Sequence, residues 1–231
     1  MDLGIPRLGG QVHPAYANPR PEVTAVIPRD ARRVLDVGCS VGAMGAALME
    51  RGHEVTGIEV EPELAEHARR RLGRVIEGDV EEMARAGKDP GGPFDCICFA
   101  DVLEHLRDPW SVVRWADDLL SAGGVVVASI PNVAHVQTLW TLTVRRVWPY
   151  KDVGIFDRTH IRFFARRNLP DLFAGTSLRI RETHRVPMVS LDNNSRWNRF
   201  ARYLGDFGTL QFIVLAARAD DRGRRPPRGD A

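Results

Sequence analysis

The feature that most constrains this chain is the regular alternation of short apolar runs with helical patterns. The apolar runs predict strands, and they lie at residues 33–38, 54–59, 74–79, 94–101 and 125–132. Patterns with helical periodicity lie between them, at residues 41–52, 62–72 and 109–124. Two parallel strands of one sheet need a long crossover, which is usually a helix. The alternation therefore predicts an α/β fold with a doubly wound, mostly parallel sheet.

The C-terminal third of the chain has a different pattern. Residues 133–166 are irregular and rich in Trp and Arg, with no clear strand. Residues 177–186 and 208–218 predict two further strands with no helix of crossover length between them, so we expect an antiparallel pair at one edge of a seven-stranded sheet. We expect three parts: an N-terminal segment (1–22), a domain (23–218) that carries residues 133–166 as a lid or acceptor-binding insertion, and a disordered basic tail (219–231).

The composition excludes several classes of protein. The 231 residues suffice for one well-packed domain, and a formal net charge of +2 gives no signature of nucleic-acid binding. No apolar run reaches membrane-spanning length and the N-terminus has no apolar signal core, so we expect a cytoplasmic protein without stable membrane insertion. The three cysteines do not predict a disulfide framework. Cys96 and Cys98 alternate within an apolar run, as core residues on one strand face do.

The turn after the first strand has the spacing Asp36-x-Gly38-x-Ser40-x-Gly42. A phosphate-binding P-loop requires Gly-Lys-Ser/Thr after four intervening residues, and that string does not occur. A dinucleotide fingerprint requires G-x-G-x-x-G, and here Ser40 replaces the middle glycine. Taken alone, the turn is typical of any tight connection from a strand to a helix, so its ligand class must be inferred from other residues.

Acidic residues stand at or near the carboxyl ends of four successive predicted strands. They are Asp36, Glu59, Asp79 and Asp101. In an open α/β sheet this edge is the ligand crevice. A row of carboxylates favours a cationic ligand over a pyrophosphate, which prefers bare N–H groups. The two oxygens of Glu59 would suit a ribose diol, and Asp79 could accept a hydrogen bond from the amino group of adenine.

Several segments in register resemble the motifs of class I S-adenosylmethionine-dependent methyltransferases, over about residues 16–218. They are VLDVGCSVG, VTGIE, EGDV, FDCICFADVLEHLRDPWSVV and SAGGVVVASIPN. The resemblance is to a small-molecule group that includes ubiquinone-biosynthesis-type enzymes. NPRPEV and DRTHIRFF also resemble a bacterial subgroup associated with glycan or natural-product modification. The resemblance implies a Rossmann-like fold, although Ser40 departs from the glycine that is usual at that position.

The resemblance also implies S-adenosyl-L-methionine as the cofactor, together with its contacts. Asp36 and the turn would face the methionine part, Glu59 the ribose and Asp79 the adenine, while Asp101 would lie near the sulfonium. The N-terminal segment would fold over the cofactor, where Arg20 would meet the methionine carboxylate or stay a solvated surface charge. The full set of predicted cofactor contacts is Tyr16, Arg20, Asp36, Gly38, Cys39, Ser40, Gly42, Glu59, Val60, Asp79, Val80, Asp101 and Val102.

Two histidines are candidates for the general base that a hydroxyl acceptor would need. His105 follows the fourth strand at the crevice, where it could equally be a polar residue that packs at a helix start. His160 lies three residues after Asp157, so a helical turn would let Asp157 orient its ring. The alternative for this pair is a local hydrogen bond that fixes the turn. No His, Cys or Asp spacing indicates a metal site.

Residues 137–156 predict a lid whose Trp140, Trp148, Tyr150 and Phe156 would form a wall of the acceptor pocket. The alternatives are a helix that packs its apolar face on the sheet and an interfacial helix at a membrane. The predicted function is methyl transfer to an oxygen of a small-molecule or sugar-containing acceptor, by a monomer or homodimer. An NAD-dependent oxidoreductase and a non-catalytic cofactor-binding module are the alternative functions.

Overall fold

A seven-stranded mixed sheet forms the centre of the computed structural model, which describes residues 7–8, 11–12, 14–187 and 202–219. A two-stranded antiparallel hairpin, β1 (Arg7–Leu8) with β2 (Gln11–Val12), comes first in the chain. The strands of the large sheet are β3 (Arg33–Val37), β4 (Glu54–Glu59), β5 (Arg74–Glu77), β6 (Phe94–Ala100), β7 (Leu120–Pro131), β8 (Leu178–Pro187) and β9 (Thr209–Arg218).

The order of the strands confirms the predicted fold class. Neighbours in the large sheet follow the order β5-β4-β3-β6-β7-β9-β8, and the first five strands are parallel. Strand β9 runs antiparallel to both of its neighbours, β7 and the edge strand β8. The predicted antiparallel pair at one edge is therefore confirmed, with β9 one position in from that edge.

Helices cover both faces of the sheet. They are α1 (Pro21–Thr24), α2 (Ala43–Glu50), α3 (Pro62–Arg69), α4 (Val80–Arg85), α5 (Pro109–Leu119) and α6 (Val136–Thr143). Short 3₁₀ segments lie at Pro14–Ala17, Leu103–His105, Arg166–Phe173 and Arg202–Gly208. Successive residues of each strand alternate between two hydrophobic cores, one packed against α4 and α5 and the other against α1, α2 and α3.

Strand β6 shows this alternation clearly. Ile97 and Phe99 are fully buried in the core beneath α5, whereas Cys96 and Cys98 are fully buried in the core beneath α2. The two cysteines are free thiols, as their spacing predicts. Because both faces of the strand are covered, its sequence is almost continuously apolar.

The predicted helix at residues 109–124 ends earlier than expected. Helix α5 stops at Leu119, because Leu120 is extended and pairs with Phe94 of β6. The register then shifts before Cys96 pairs with Val125, so the glycines that suggested a helix end lie within an irregular part of β7. Residues 133–166, all of them described, contain α6 and no named strand.

Parts of the predicted terminal segments lie outside the described residues. These are residues 1–6, 9–10 and 13 of the N-terminal segment and all of the predicted tail except Ala219. Within the described ranges, no helix combines the length and apolar character needed to cross a membrane.

Candidate active site

A cleft of about 240 Å³ lies at the carboxyl ends of β3, β6 and β7. Ten of the predicted site residues line it: Tyr16, Arg20, Asp36, Gly38, Cys39, Ser40, Asp101, His105, Asp157 and His160. Six predicted residues are not part of its lining: Gly42, Glu59, Val60, Asp79, Val80 and Val102. The cleft therefore joins the acid-lined end of the sheet to both candidate histidines.

The glycine turn needs its small residues for backbone reasons. Gly38, Ser40 and Gly42 have φ values of 70°, 51° and 78°, in the left-handed region that favours glycine. A Cβ on Gly38 would lie 2.6 Å from Cγ2 of Val102, so a side chain there would clash with the segment after β6. The N–H groups of Gly38 and Cys39 donate to the carbonyl of Ile58, which anchors the turn to β4.

Glu59 holds the same turn from the end of β4. Its Oε2 accepts from the Ser40 N–H at 2.7 Å, and its Oε1 accepts from the Glu61 N–H at 3.0 Å. Burial raises the pKa of this carboxyl, although the backbone hydrogen bonds oppose the rise. Backbone N–H groups of Ser40, Val60 and Glu61 thus hold this carboxyl within the protein.

Asp36 is a buried carboxylate in the lining of the cleft. It is 1% exposed, and its Oδ2 has no hydrogen-bond partner among the described residues. Burial, with a smaller contribution from the charge of Glu59, raises its pKa to about 7. A buried carboxylate oxygen without a partner is costly unless a bound group satisfies it. This position fits the ammonium of a methionine-like ligand.

Asp101 ties the N-terminal segment to the rim of the cleft. Its Oδ2 accepts from Nη1 of Arg20, and its Oδ1 accepts from Ser129 Oγ at 3.0 Å and Gln211 Nε2 at 2.9 Å. Arg20 also donates to Glu22 at 2.6 Å. Its side chain is only 13% exposed, so it is not a solvated surface charge. Its ion-pair partners in this structure are Asp101 and Glu22.

Several predicted cofactor contacts that lie outside the cleft lining have structural roles. Asp79 caps α4 by accepting from the Glu81 N–H at 2.7 Å. Val80, the first residue of that helix, is buried, whereas Val60 is 56% exposed. Gly42 is the N-cap residue of α2.

The two histidines lie together in the lining of the cleft, beside Glu104. The ring centroids of His105 and His160 are 4.7 Å apart, and His160 Nε2 lies 3.9 Å from Oε1 of Glu104. Burial is the largest cause that lowers the pKa of each histidine, which favours the neutral imidazole. Burial also raises the pKa of Glu104 well above its ordinary value, and neither of its carboxyl oxygens has a partner within the described part of the chain.

Asp157 does not orient His160 as the sequence suggested. Residues 157–160 form a turn rather than a helix, and Oδ1 of Asp157 accepts from the N–H and hydroxyl of Thr159 at 2.8 and 2.6 Å. The Thr159 hydroxyl in turn lies 3.0 Å from His105 Nδ1. The carboxylate therefore fixes the turn, the alternative considered from the sequence, and reaches His105 through a threonine.

Glu104 and Gln211 are residues of the cleft that the sequence did not single out. Candidate donor atoms of Glu104, His105 and His160 all lie within 4.8 Å of one another, and a carboxylate with two imidazoles suits a divalent cation. Because His160 is distant in sequence, no ligand spacing could reveal this set. Gln211 enters the cleft because β9 pairs with the end of β7, where Pro131 lies opposite it.

The predicted aromatic wall is contradicted by the structure. Trp140 and Tyr150 are 59% and 70% exposed, and Phe156 is buried against Trp148 with ring centroids 5.1 Å apart. The segment instead contributes Val153, Gly154 and Ile155 to the cleft, beside Asp157 and His160.

Comparison with known proteins assigns the chain to a class. A family model described as a methyltransferase domain matches residues 11–183, so the chain belongs to this methyltransferase family. Its sheet order and its structural neighbours give it the fold of class I S-adenosylmethionine-dependent methyltransferases, whose cofactor is S-adenosyl-L-methionine.

Individual relatives agree with this class. A ubiquinone biosynthesis O-methyltransferase of Xanthomonas campestris is 34% identical over 113 residues, which cover 48% of this chain and 47% of the relative. The chain thus spans about half the length of the curated relatives that it matches. A methyltransferase structure from Listeria monocytogenes aligns with a TM-score of 0.64 at 13% identity, covering 89% of this chain and 99% of that one. Magnesium protoporphyrin IX methyltransferase from Synechocystis aligns with a TM-score of 0.59 at 14% identity, covering 86% and 79%.

Proposed function

We propose that this protein transfers the methyl group of S-adenosylmethionine to a hydroxyl oxygen of a small-molecule or sugar-containing acceptor. The observation that supports the proposal is the lining of one cleft, which contains the buried carboxylate of Asp36 together with His105 and His160, whose lowered pKa values favour the neutral imidazole. A cationic donor suits the carboxylate, and a hydroxyl acceptor suits the imidazoles, whose part of the cleft is called the acceptor end here. Methyl transfer to oxygen uses both.

The cofactor would run along the carboxyl edge of the sheet. Its ammonium would pair with the unsatisfied Oδ2 of Asp36, and the turn at Gly38 would lie against the methionine part. The ribose hydroxyls would bind the carboxylate oxygens of Glu59, beside the backbone N–H groups that already hold it. Adenine would then extend beyond the cleft, over the exposed Val60 towards Asp79.

At the acceptor end, the proton needs a base because a neutral alcohol is a weak nucleophile. S-adenosylmethionine supplies a methyl group and a neutral thioether as the leaving group. His160 would take the proton of the acceptor hydroxyl as its oxygen receives the methyl group. The imidazolium that forms would lie 3.9 Å from Oε1 of Glu104. His105 is held by Thr159 beside it and would keep the His160 ring in place.

The same cluster offers a second way to activate the hydroxyl. A divalent cation on Glu104, His105 and His160 would lower the pKa of a bound hydroxyl directly, and the histidines would then be ligands rather than bases. Treatment with EDTA separates the two mechanisms: turnover that survives chelation supports the base, and turnover that is lost and restored by Mn²⁺ supports the cation.

Cofactor binding is tested by calorimetric titration with S-adenosylhomocysteine. We expect binding by the wild type and its loss in folded Asp36→Ala and Glu59→Ala variants. Glu61→Ala is the matched control, because Glu61 is an exposed acid two residues from Glu59. A wild-type protein that shows no binding would end the proposal.

Turnover is tested by transfer of a radiolabelled methyl group into a small-molecule extract. We expect His160→Ala to bind S-adenosylhomocysteine normally and to lose turnover, while His184→Ala, which changes an exposed histidine of β8, keeps it. Unchanged turnover in His160→Ala rejects its role as the base. Cofactor binding by the wild type with no labelled product from any extract would favour a non-catalytic binding module.

A further inference from the structure

Helix α6 turns polar side chains towards the protein and apolar side chains away from it. It buries the polar side chains of Thr138 and Thr141 and exposes Leu139, Trp140 and Leu142 by 38%, 59% and 42%. The Thr138 hydroxyl has no hydrogen-bond partner among residues 14–187 and 202–219. A surface helix normally turns its apolar side chains towards the core. The apolar side of α6 therefore lacks the contact that its composition calls for.

The exposed apolar surface continues beyond the helix. Eight of the eleven exposed large hydrophobic side chains in the described part of the chain fall between residues 139 and 163. We call this set the apolar patch; its members are Leu139, Trp140, Leu142, Val144, Val147, Tyr150, Ile161 and Phe163. The segment folds back on itself, because the rings of Trp148 and Phe163 are 5.5 Å apart. Such a concentration of exposed apolar side chains marks an interaction surface.

The patch is surrounded by positive charge. Residues 133–167 contain seven Lys and Arg and two Asp, a net charge of +5, so the rest of the chain carries −3. Arg145, Arg146 and Lys151 are exposed beside the apolar side chains. Of the two acids, Asp152 pairs with Arg158 at 2.9 Å and Asp157 is bonded to Thr159. Arg166 pairs with Asp206 at 3.0 Å. The exposed apolar side chains and the exposed Arg145, Arg146 and Lys151 therefore belong to one segment of the chain.

We propose that the apolar patch docks on the surface of an anionic lipid bilayer. Trp, Tyr and aliphatic side chains interleaved with Arg and Lys are the chemistry that binds the interface between lipid headgroups and acyl chains. Basic residues add attraction to anionic headgroups. Protein–protein interfaces also combine aromatic side chains with Arg, and the vesicle experiment below distinguishes that occupant, because a protein-docking surface has no reason to bind anionic lipid by itself.

The docked position has a consequence for the acceptor. The patch borders Val153, Gly154 and Ile155, which line the cleft next to His160. A bilayer against the patch would thus lie beside the acceptor end of the cleft. This part rests on the proposed function: the acceptor is an amphipathic, lipid-borne molecule whose hydroxyl reaches the cleft from the bilayer.

The test is co-sedimentation of the full chain with large vesicles of phosphatidylcholine, with and without about 30% phosphatidylglycerol. We expect binding to the anionic vesicles only, weakened by added salt. Arg145→Gln/Arg146→Gln should lower the partition coefficient about 25-fold, because each basic side chain near the surface contributes about fivefold. Trp140→Ser should lower it about tenfold through lost apolar contact.

Matched controls lie in other elements of the fold. Met49→Ser removes an apolar side chain of α2 that is 40% exposed, and Arg69→Gln/Arg70→Gln removes two charges at the C-terminal end of α3. Neither control should change binding. Absence of binding to anionic vesicles, or equal loss in patch and control variants, overturns the proposal. Self-association that Trp140→Ser abolishes, without vesicle binding, overturns it in favour of a second copy.

The same samples separate this inference from the proposed function. Vesicle binding needs no cofactor, and titration with S-adenosylhomocysteine needs no vesicle. A protein that binds S-adenosylhomocysteine but no vesicles rejects the docking surface and leaves methyl transfer standing. Transfer of label to a water-soluble acceptor at the same rate with and without vesicles rejects the lipid-borne acceptor alone.

Discussion

Replacing Asp36 by Asn should stabilise the ligand-free protein at alkaline pH. Asp36 is 1% exposed, and burial together with the charge of Glu59 raises its pKa from 3.8 to about 7. A carboxyl whose folded-state pKa lies above its unfolded-state value is harder to ionise when folded. Its ionisation therefore costs folding free energy, and an uncharged side chain of the same shape does not incur that cost.

The magnitude follows from the two pKa values. The penalty is absent below 3.8, grows as the pH rises, and is complete above about 7. Since one pKa unit corresponds to about 1.4 kcal/mol, the full penalty is about 4 kcal/mol. About 2.5 kcal/mol of it develops between about pH 5 and pH 8, where unfolding is readily measured. Asp36 is fully buried, so solvent screening does not reduce this value.

The assay is urea unfolding of the wild type and Asp36→Asn without ligand, at about pH 5, 6, 7 and 8. Titrations that both proteins share cancel in the difference between their free energies of unfolding. From the lowest to the highest pH, the free energy of unfolding of Asp36→Asn should rise by about 2.5 kcal/mol relative to that of the wild type. The amide needs a new hydrogen-bond partner, but that cost is independent of pH. A difference that stays constant or changes in the opposite direction refutes the electrostatic reasoning.

Cofactor binding should show the complementary behaviour. The proposed ammonium partner favours ionised Asp36, so the affinity of the wild type for S-adenosylhomocysteine should rise with pH up to about 7, by close to tenfold for each pH unit, and then level off. Asp36→Asn should bind about 10- to 100-fold more weakly at pH 8, through loss of a charge-assisted hydrogen bond. Calorimetry at each pH measures both effects. If the affinities of the wild type and Asp36→Asn change with pH in the same way, a group other than Asp36 causes the pH dependence.

Two further substitutions test the glycine turn after Asp36 and the ion pair that anchors the N-terminal segment. Gly38→Ala should destabilise the protein by about 2 kcal/mol, because residue 38 has a φ of 70° and the new Cβ would lie 2.6 Å from Val102. In Gly73→Ala, the control, the new Cβ meets no atom within 4 Å, so little effect is expected. Thermal unfolding measures both. Arg20→Ala removes the cation that Asp101 binds, so the rate of proteolysis within residues 1–22 should rise about tenfold while the rest of the chain stays protected.

The sheet could be predicted because its signals are local. A parallel strand covered on both faces must be apolar throughout, and Phe94–Ala100 is. The end of α5 could not be predicted, because two glycines near residue 124 resemble a helix stop. Only the pairing of Leu120 with Phe94 shows that the strand has already begun and that the glycines lie in its irregular part.

The site residues that are positioned by the sheet alone could be predicted from the sequence. Asp36 and Asp101 line the cleft because each stands at the carboxyl end of a parallel strand, and the register of the sheet brings those ends to one edge. The acceptor end depends on loops instead. The approach of Glu104 to His160 follows from hydrogen bonds that the N–H groups of Ile161 and Arg162 donate to the Glu104 carbonyl, and no periodicity encodes them.

Helix α6 shows what a periodic pattern leaves undetermined. The pattern of residues 136–143 separates an apolar face from a polar one, but it does not say which face meets the protein. In the structure, the buried Thr138 and Thr141 decide the matter against the expectation that the apolar face packs on the sheet. The apolar side chains of α6 are on the wrong side of the helix only if the sheet is its sole neighbour. With a bilayer on the other side, Trp140 and its neighbours are on the apolar side of an interface, and the pattern agrees with the fold again.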